Sequence, residues 1–164
     1  MEVTLKELLD SRENRVWHQQ ELLEKYGGVL VSVTLNIPGP IKDRPQYREV
    51  MEWGMMKLLS VFGDRVCYHE TRFLKTGTEG YICLVDISPH QVKVLAVGVE
   101  NMEKRGRLLD IDVLTNEGGV SRSEIGMPPR KCLLCDDDAK ACARSQKHNI
   151  KELLVKVDEL CYDE

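Results

Sequence analysis

Residues 107–114 read Arg-Leu-Leu-Asp-Ile-Asp-Val-Leu, and their alternation constrains the fold more than any other stretch. Side chains point to opposite faces along a strand, so Leu109, Ile111 and Val113 belong to one face and Asp110 and Asp112 to the other. The segment therefore suits a sheet with one dry face and one polar face. Two carboxylates about 7 Å apart, the two-residue repeat of an extended chain, repel unless a cation or a basic group lies between them. Asp110 and Asp112 are candidate ligands for a divalent metal; the alternative is that both simply face water.

A second alternating segment follows the N-terminal region: Val29, Val31, Val33 and Leu35 interleave with Leu30, Ser32, Thr34 and Asn36. Before it, Thr4 is placed to cap a helix whose apolar residues Leu5, Leu8, Leu9, Val16, Leu22, Leu23 and Tyr26 form an imperfect stripe ending at Gly27-Gly28. The stripe fails between residues 10 and 14, where a break is expected. Residues 46–62 read as a helix in spite of Gly54, and residues 66–74 and 81–87 as a hairpin around the glycine-containing segment 76–80. Ser88-Pro89 opens a further helix extending to about Glu103.

The order is βαββαβ with a helix before and helical segments after, an α+β chain whose core is the ferredoxin-like arrangement with a mainly antiparallel sheet. In strand order 4-1-3-2 the Asp strand forms an edge, antiparallel to the first strand. Ser32, Thr34 and Asn36 then share an open face with Asp110 and Asp112. The loop of residues 37–44 comes near Arg107, so Lys42, Arg44 and Arg107 converge on the carboxylates unless they are solvated surface side chains. Residues 121–130 hold little core material and are expected to wrap the open face or an edge of the site, with Arg122 and Arg130 as further anion-binding candidates.

With 164 residues, 42% of them hydrophobic and 30% charged, the chain has material for one core, and a single domain over residues 1–164 is expected. A net charge of −4 argues against a general nucleic-acid binder. No apolar run reaches membrane-spanning length and the N-terminal residues lack a signal pattern, so a cytoplasmic protein with reduced or metal-bound cysteines is expected. Phosphate loops of the G-x-x-x-x-G-K-[ST] type, G-x-G-x-x-G turns and nucleophile elbows are absent.

Cys132 and Cys135 form a C-x-x-C pair, followed by Cys142 and His148. Three sulfurs and an imidazole are the ligand count of a structural Zn2+ site, if residues 136–146 fold back as a short helix. The alternative is a set of reduced, packed thiols. Cys67, Cys83 and Cys161 read as small packed residues, and His18, His69 and His90 as isolated surface or packed side chains.

Several blocks in series carry a resemblance: Asn36-Ile37-Pro38-Gly39-Pro40-Ile41-Lys42, Thr76-Gly77-Thr78-Glu79-Gly80-Tyr81, residues 106–113, Ser121-Arg122, residues 129–135, and Cys142 through His148. With Arg12, Arg15, Gln19 and Gln20 near the start, they resemble, over nearly the whole chain, the citrate lyase holo-acyl-carrier-protein synthase family, also called apo-citrate lyase phosphoribosyl-dephospho-CoA transferase. The lengths suggest the stand-alone enzyme rather than a fusion. The resemblance implies a nucleotidyltransferase that moves the phosphoribosyl-dephospho-CoA group from its triphosphate precursor to a serine of the citrate lyase acyl carrier (gamma) subunit, releasing pyrophosphate. It implies Mg2+ at Asp110 and Asp112, and Lys42, Arg107, Arg122 and Arg130 on the phosphates. Two other readings remain: a non-catalytic, zinc-stabilised module that docks on a carrier, and the same transfer to the malonate decarboxylase carrier.

Overall fold

Thr4 starts the first helix. Its hydroxyl accepts from the Glu7 N–H at 3.2 Å, and the Glu7 carboxylate accepts from the Thr4 N–H at 2.8 Å. This reciprocal cap satisfies donors that a helix start leaves free. The computed structural model describes residues 1–162. In it α1 (Leu5–Tyr26) runs without interruption, so the break expected near residues 10–14 does not occur. Those residues contain neither Gly nor Pro, and polar side chains on a helix surface interrupt an apolar stripe without interrupting the backbone.

The remaining elements are β1 (Val29–Leu35), α2 (Pro45–Phe62), β2 (Val66–Leu74), β3 (Gly77–Leu84), α3 (Pro89–Glu100), β4 (Leu109–Thr115), β5 (Gly118–Gly119), α4 (Ala139–Ser145) and α5 (Ile150–Cys161). The sheet has five strands in the order β2-β3-β1-β4-β5, with every neighbouring pair antiparallel.

Four expectations need correction. The short β5 pairs with Leu114 and Thr115, so β4 is not the outermost strand. The β2–β3 turn is Lys75-Thr76, and residues 77–80 belong to β3, because Gly77 at φ +124° closes the turn at once. α3 stops at Glu100. Arg107 lies in a 3-10 turn, Lys104–Leu108, and not in the strand. Gly106 in that turn packs where a Cβ would fall 2.4 Å from the Glu100 carbonyl oxygen, so only glycine lets the chain double back against α3.

One face of the sheet is dry. Val31, Val33, Ile82, Leu84, Leu109, Ile111 and Val113 meet α2, α3 and α5 in the main core, and each fully buried side chain of this kind contributes about 1.5–3 kcal/mol. Gly54 is explained by this packing: a Cβ there would lie 2.8 Å from Leu109, so the glycine lets α2 settle directly onto the Asp strand.

The opposite face is open only in part, where the sequence suggested a wholly open one. α1 lies across it. Leu22 and Leu23 pack on Leu30, Tyr81 and Cys83 at the apolar end of this face, and Gln19 donates to the Ser32 hydroxyl at 2.9 Å farther along. The second apolar patch on this face was hidden in sequence because it is only a few side chains long. Among the described residues, no helix is long and apolar enough to cross a membrane.

Candidate functional site

Register decides which polar side chains meet. Ser32 pairs with Asp112 and Thr34 with Asp110, so the carboxylates of β4 share the α1 face with the hydroxyls of β1. Toward its N-terminal end α1 leaves the sheet uncovered, and a cleft of about 210 Å³ opens there. Leu8, Ser11, Arg12 and Arg15 form one wall, Thr34 to Ile37 and Lys42 another, and Thr76 to Thr78 with Asp110 complete it. The Ser11 hydroxyl, donating to Thr76 at 3.0 Å, ties the helix to the hairpin at the rim.

The cleft is electropositive around one carboxylate. Lys42 donates to the Ile37 carbonyl, and burial, followed by the charge of Arg12, holds its amine below the usual lysine range. Arg15 sits 3.4 Å from the buried Glu79. Arg130 approaches Asp110 at 3.8 Å from the other side. On the same face Asp112 is raised above the usual carboxylate range, first by the protein crowding it and then by the charge of Asp110, although its side chain still reaches solvent.

Below α1 the sheet carries a connected polar layer. Tyr81 donates to Glu79, and His18 bonds Glu70, which also accepts from Tyr68 at 3.0 Å and lies 3.4 Å from Arg72. His18 packs edge-on against the Tyr81 ring with centroids 4.7 Å apart. The isolated histidine of the sequence is thus the centre of the α1 docking contact. Burial opposes ionisation of Glu70, yet the bonds from His18 and Tyr68 and the charge of Arg72 hold it below the usual range.

The expected Cys/His cluster is assembled. Cys132, Cys135, Cys142 and His148 each offer one ligand atom, and these atoms all lie within 4.8 Å of one another, so the cluster could bind a metal such as zinc. Cys135 Sγ is 3.4 Å from Cys142 Sγ and 3.4 Å from His148 Nε2. Burial opposes ionisation of Cys132, but the Leu134 and Cys135 N–H groups outweigh it and lower that thiol; burial and the neighbouring sulfurs push Cys142 up to about 12.

The candidate cations divide into two groups. Lys42 and Arg130 stand at the cleft or beside its carboxylate. Arg107 donates instead to the Cys132 carbonyl at 2.9 Å, and Arg122 is held at 2.5 Å by the buried Glu100 of α3. Arg44 faces Asp158 at 3.7 Å. Residues 121–130 correspondingly turn toward α3: the Ser123–Ile125 turn lies against it, with His90 3.4 Å from Glu124. The last of them, Arg130, reaches Asp110 at 3.8 Å, so this end of the segment borders the site. Arg12 and Arg15 were missed as site cations. Their signal was present, since Leu8, Ser11, Arg12, Arg15, His18, Gln19 and Leu22 recur at helical spacing, but it emerges only once α1 is known to be unbroken.

Fold and cleft together define a class: α+β proteins with an antiparallel sheet that set a carboxylate among cations. Within that class, the chain belongs to the apo-citrate lyase phosphoribosyl-dephospho-CoA transferase family, which matches residues 3–164. A Streptococcus pyogenes serotype M18 protein named "Probable apo-citrate lyase phosphoribosyl-dephospho-CoA transferase" is 34% identical over 166 residues, covering 98% of this chain and 86% of its own. A Vibrio cholerae serotype O1 (strain M66-2) protein of the same name is 35% identical over 167 residues, covering 99% of this chain and 94% of its own.

Proposed function

We propose that this chain transfers the phosphoribosyl-dephospho-CoA group from its triphosphate precursor to a serine of the citrate lyase acyl carrier subunit, with release of pyrophosphate. The family supports the reaction. The observation that carries the site is the convergence of Arg12, Arg15, Lys42 and Arg130 around Asp110.

In this reading the cations hold the triphosphate. Burial, and then the charge of Arg12, disfavour the charged form of Lys42, and an anion between the two side chains offsets that cost. Arg130 reaches the same anion from beyond Asp110. Arg107 and Arg122 act one step back by holding neighbouring backbone and Glu100. Asp110 and Asp112 suit a hard divalent ion such as Mg2+, because two adjacent carboxylates on one sheet face carry excess negative charge; Asp112 is raised first by burial and then by that charge of Asp110. When bound, that ion would offset charge on the phosphates and on the departing pyrophosphate. The attacking hydroxyl comes from the carrier. We assign Zn2+ to the Cys132, Cys135, Cys142 and His148 cluster, away from the reacting groups. We also read the core as one ferredoxin-like domain, on the support of its strand order, and place the enzyme in the cytoplasm, where six cysteines outside any disulfide stay reduced or metal-bound.

The test is mass spectrometry of purified apo-carrier incubated with the protein, the triphosphate precursor and Mg2+, alongside a pyrophosphate assay. A mass gain of one prosthetic group on the carrier serine, matched by pyrophosphate, is expected. Running the malonate decarboxylase carrier in parallel decides between acceptors, and no modification of either carrier would leave the docking-module reading.

A further inference from the structure

Residues 131–150 contain only two buried side chains, Cys132 and Cys142. The segment includes α4, which at 7 residues is far below the length at which a helix is stable on its own. Apart from Leu133, which packs against the main core, little apolar burial holds it, and both buried residues belong to the Cys/His cluster.

The four ligand atoms lie within 4.8 Å of one another, and two of their separations come close to tetrahedral values. Zn–S bonds near 2.3 Å and Zn–N bonds near 2.0 Å put tetrahedral ligand atoms about 3.5–3.8 Å apart, and the contacts of Cys135 with Cys142 and His148 are 3.4 Å. The surrounding groups are also those of a metal knuckle. The Leu134 N–H points at Cys132 Sγ at 3.5 Å, the Lys147 amine at Cys135 Sγ at 3.7 Å, and Glu152 lies 4.0 Å from the far nitrogen of His148. N–H groups on sulfur and a carboxylate behind the imidazole are the outer contacts that orient zinc ligands.

The same segment leads directly to the cleft. Cys132 accepts the Arg107 guanidinium through its carbonyl at 2.9 Å, and its N–H donates to Asp137 O at 2.8 Å. Arg130, two residues before Cys132, donates to the Arg107 carbonyl at 2.5 Å and reaches Asp110 at 3.8 Å, while its own carbonyl accepts from Ala139 at the start of α4 at 2.9 Å. The backbone from Arg130 to Cys132 is thus bound to the knuckle and to the turn that begins β4.

We propose that one Zn2+ held by Cys132, Cys135, Cys142 and His148 is a positioning device for the transferase site: it closes the knuckle that aims Arg130 at the anion beside Asp110. The ion takes no part in the reaction, because four protein ligands leave no open position. The assignment of Arg130 to phosphate rests on the transferase reading; the zinc site does not.

The full chain, purified without a metal-affinity resin or chelator, is expected to hold about one zinc per chain. Co2+ exchanged into it is expected to give the intense red-region bands of tetrahedral thiolate coordination. Binding of inorganic pyrophosphate with Mg2+, followed by calorimetry, supplies the second readout. Cys142→Ser is expected to lose the zinc and weaken pyrophosphate roughly tenfold, the scale of one charge-assisted hydrogen bond, and Arg130→Ala to weaken it equally while keeping the zinc. The double variant is expected to be no worse than either single, since the ion acts through Arg130. Cys142→His, which keeps a ligand, is expected to retain both zinc and affinity, and serves if the serine variant does not fold. Protein that stays metal-free after reconstitution, or a Cys135–Cys142 disulfide in its place, overturns the site. Additive losses in the double variant overturn the positioning role. Both readouts are independent of turnover, so a failure of carrier modification with zinc and coupling intact would count against the transferase reading alone.

Discussion

The two candidate cation sites of this molecule are built in opposite ways. Asp110 and Asp112 ride on β4, whose register is pinned along its length by β1 and whose underside, Leu109, Ile111 and Val113, is buried in the main core. The Cys/His cluster draws its four ligands from a turn, a two-turn helix and a linker with almost no core of their own. A strand holds its carboxylates in place whether or not an ion is present. Metal knuckles with little core are in general held in place by the ion they bind. Removing a ligand should therefore cost chemistry at the first region and structure at the second.

The largest expected effect tests the first half of that contrast. Asp110→Asn and Asp112→Asn should each reduce the transfer rate on the order of 100-fold or more, with unchanged melting, because each keeps volume and loses a charged ligand. Near wild-type turnover by a folded variant would remove the carboxylates from the mechanism. A large drop in melting temperature would show instead that β4 depends on its ion as the knuckle does.

Gly106 joins the two regions, immediately before Arg107. Gly106→Ala should destabilise the chain by about 1–3 kcal/mol in urea titration, because the new Cβ meets the backbone of Glu100 and no side chain can yield. An unchanged midpoint would mean that the turn shifts freely, and the rigid placement of Arg107 and Arg130 would go with it.

For the knuckle, Cys132→Ser should make residues 131–148 the first site of proteolytic cleavage while the sheet stays protected in hydrogen exchange. Protection lost evenly across both regions would show that they unfold together, and the contrast would fail.

The smallest effect concerns the face beneath α1. Glu70 is held below its usual range in the folded protein, so it contributes stability above its unfolded pKa, and that contribution disappears as pH falls from the ordinary carboxylate range through the lowered value. Urea midpoints taken between about pH 6 and pH 3 should fall less steeply in Glu70→Gln than in the parent. Parallel curves would show that the His18–Glu70 contact has no part in docking α1.

Much of this protein is decided locally. Alternation of period two specified β1 and β4, including which face carries Ser32, Thr34, Asp110 and Asp112, because side-chain direction along a strand follows from backbone geometry alone. The Thr4 and Ser88 caps and the C-x-x-C pair were legible for the same reason: their partners lie within a few residues. What needed the tertiary structure was every contact between segments far apart in the chain. The 22-residue α1 looked broken and its face unassigned until Arg15 met Glu79 and His18 met Glu70, more than 50 residues away. Arg107 and Arg122 looked equivalent to Arg130 until the Cys132 carbonyl and Glu100 took them. A lone cation carries no record in sequence of which acceptor will claim it. That choice is made when the layers pack, since the buried acceptors left without partners by the backbone must be satisfied from whatever donors lie within reach.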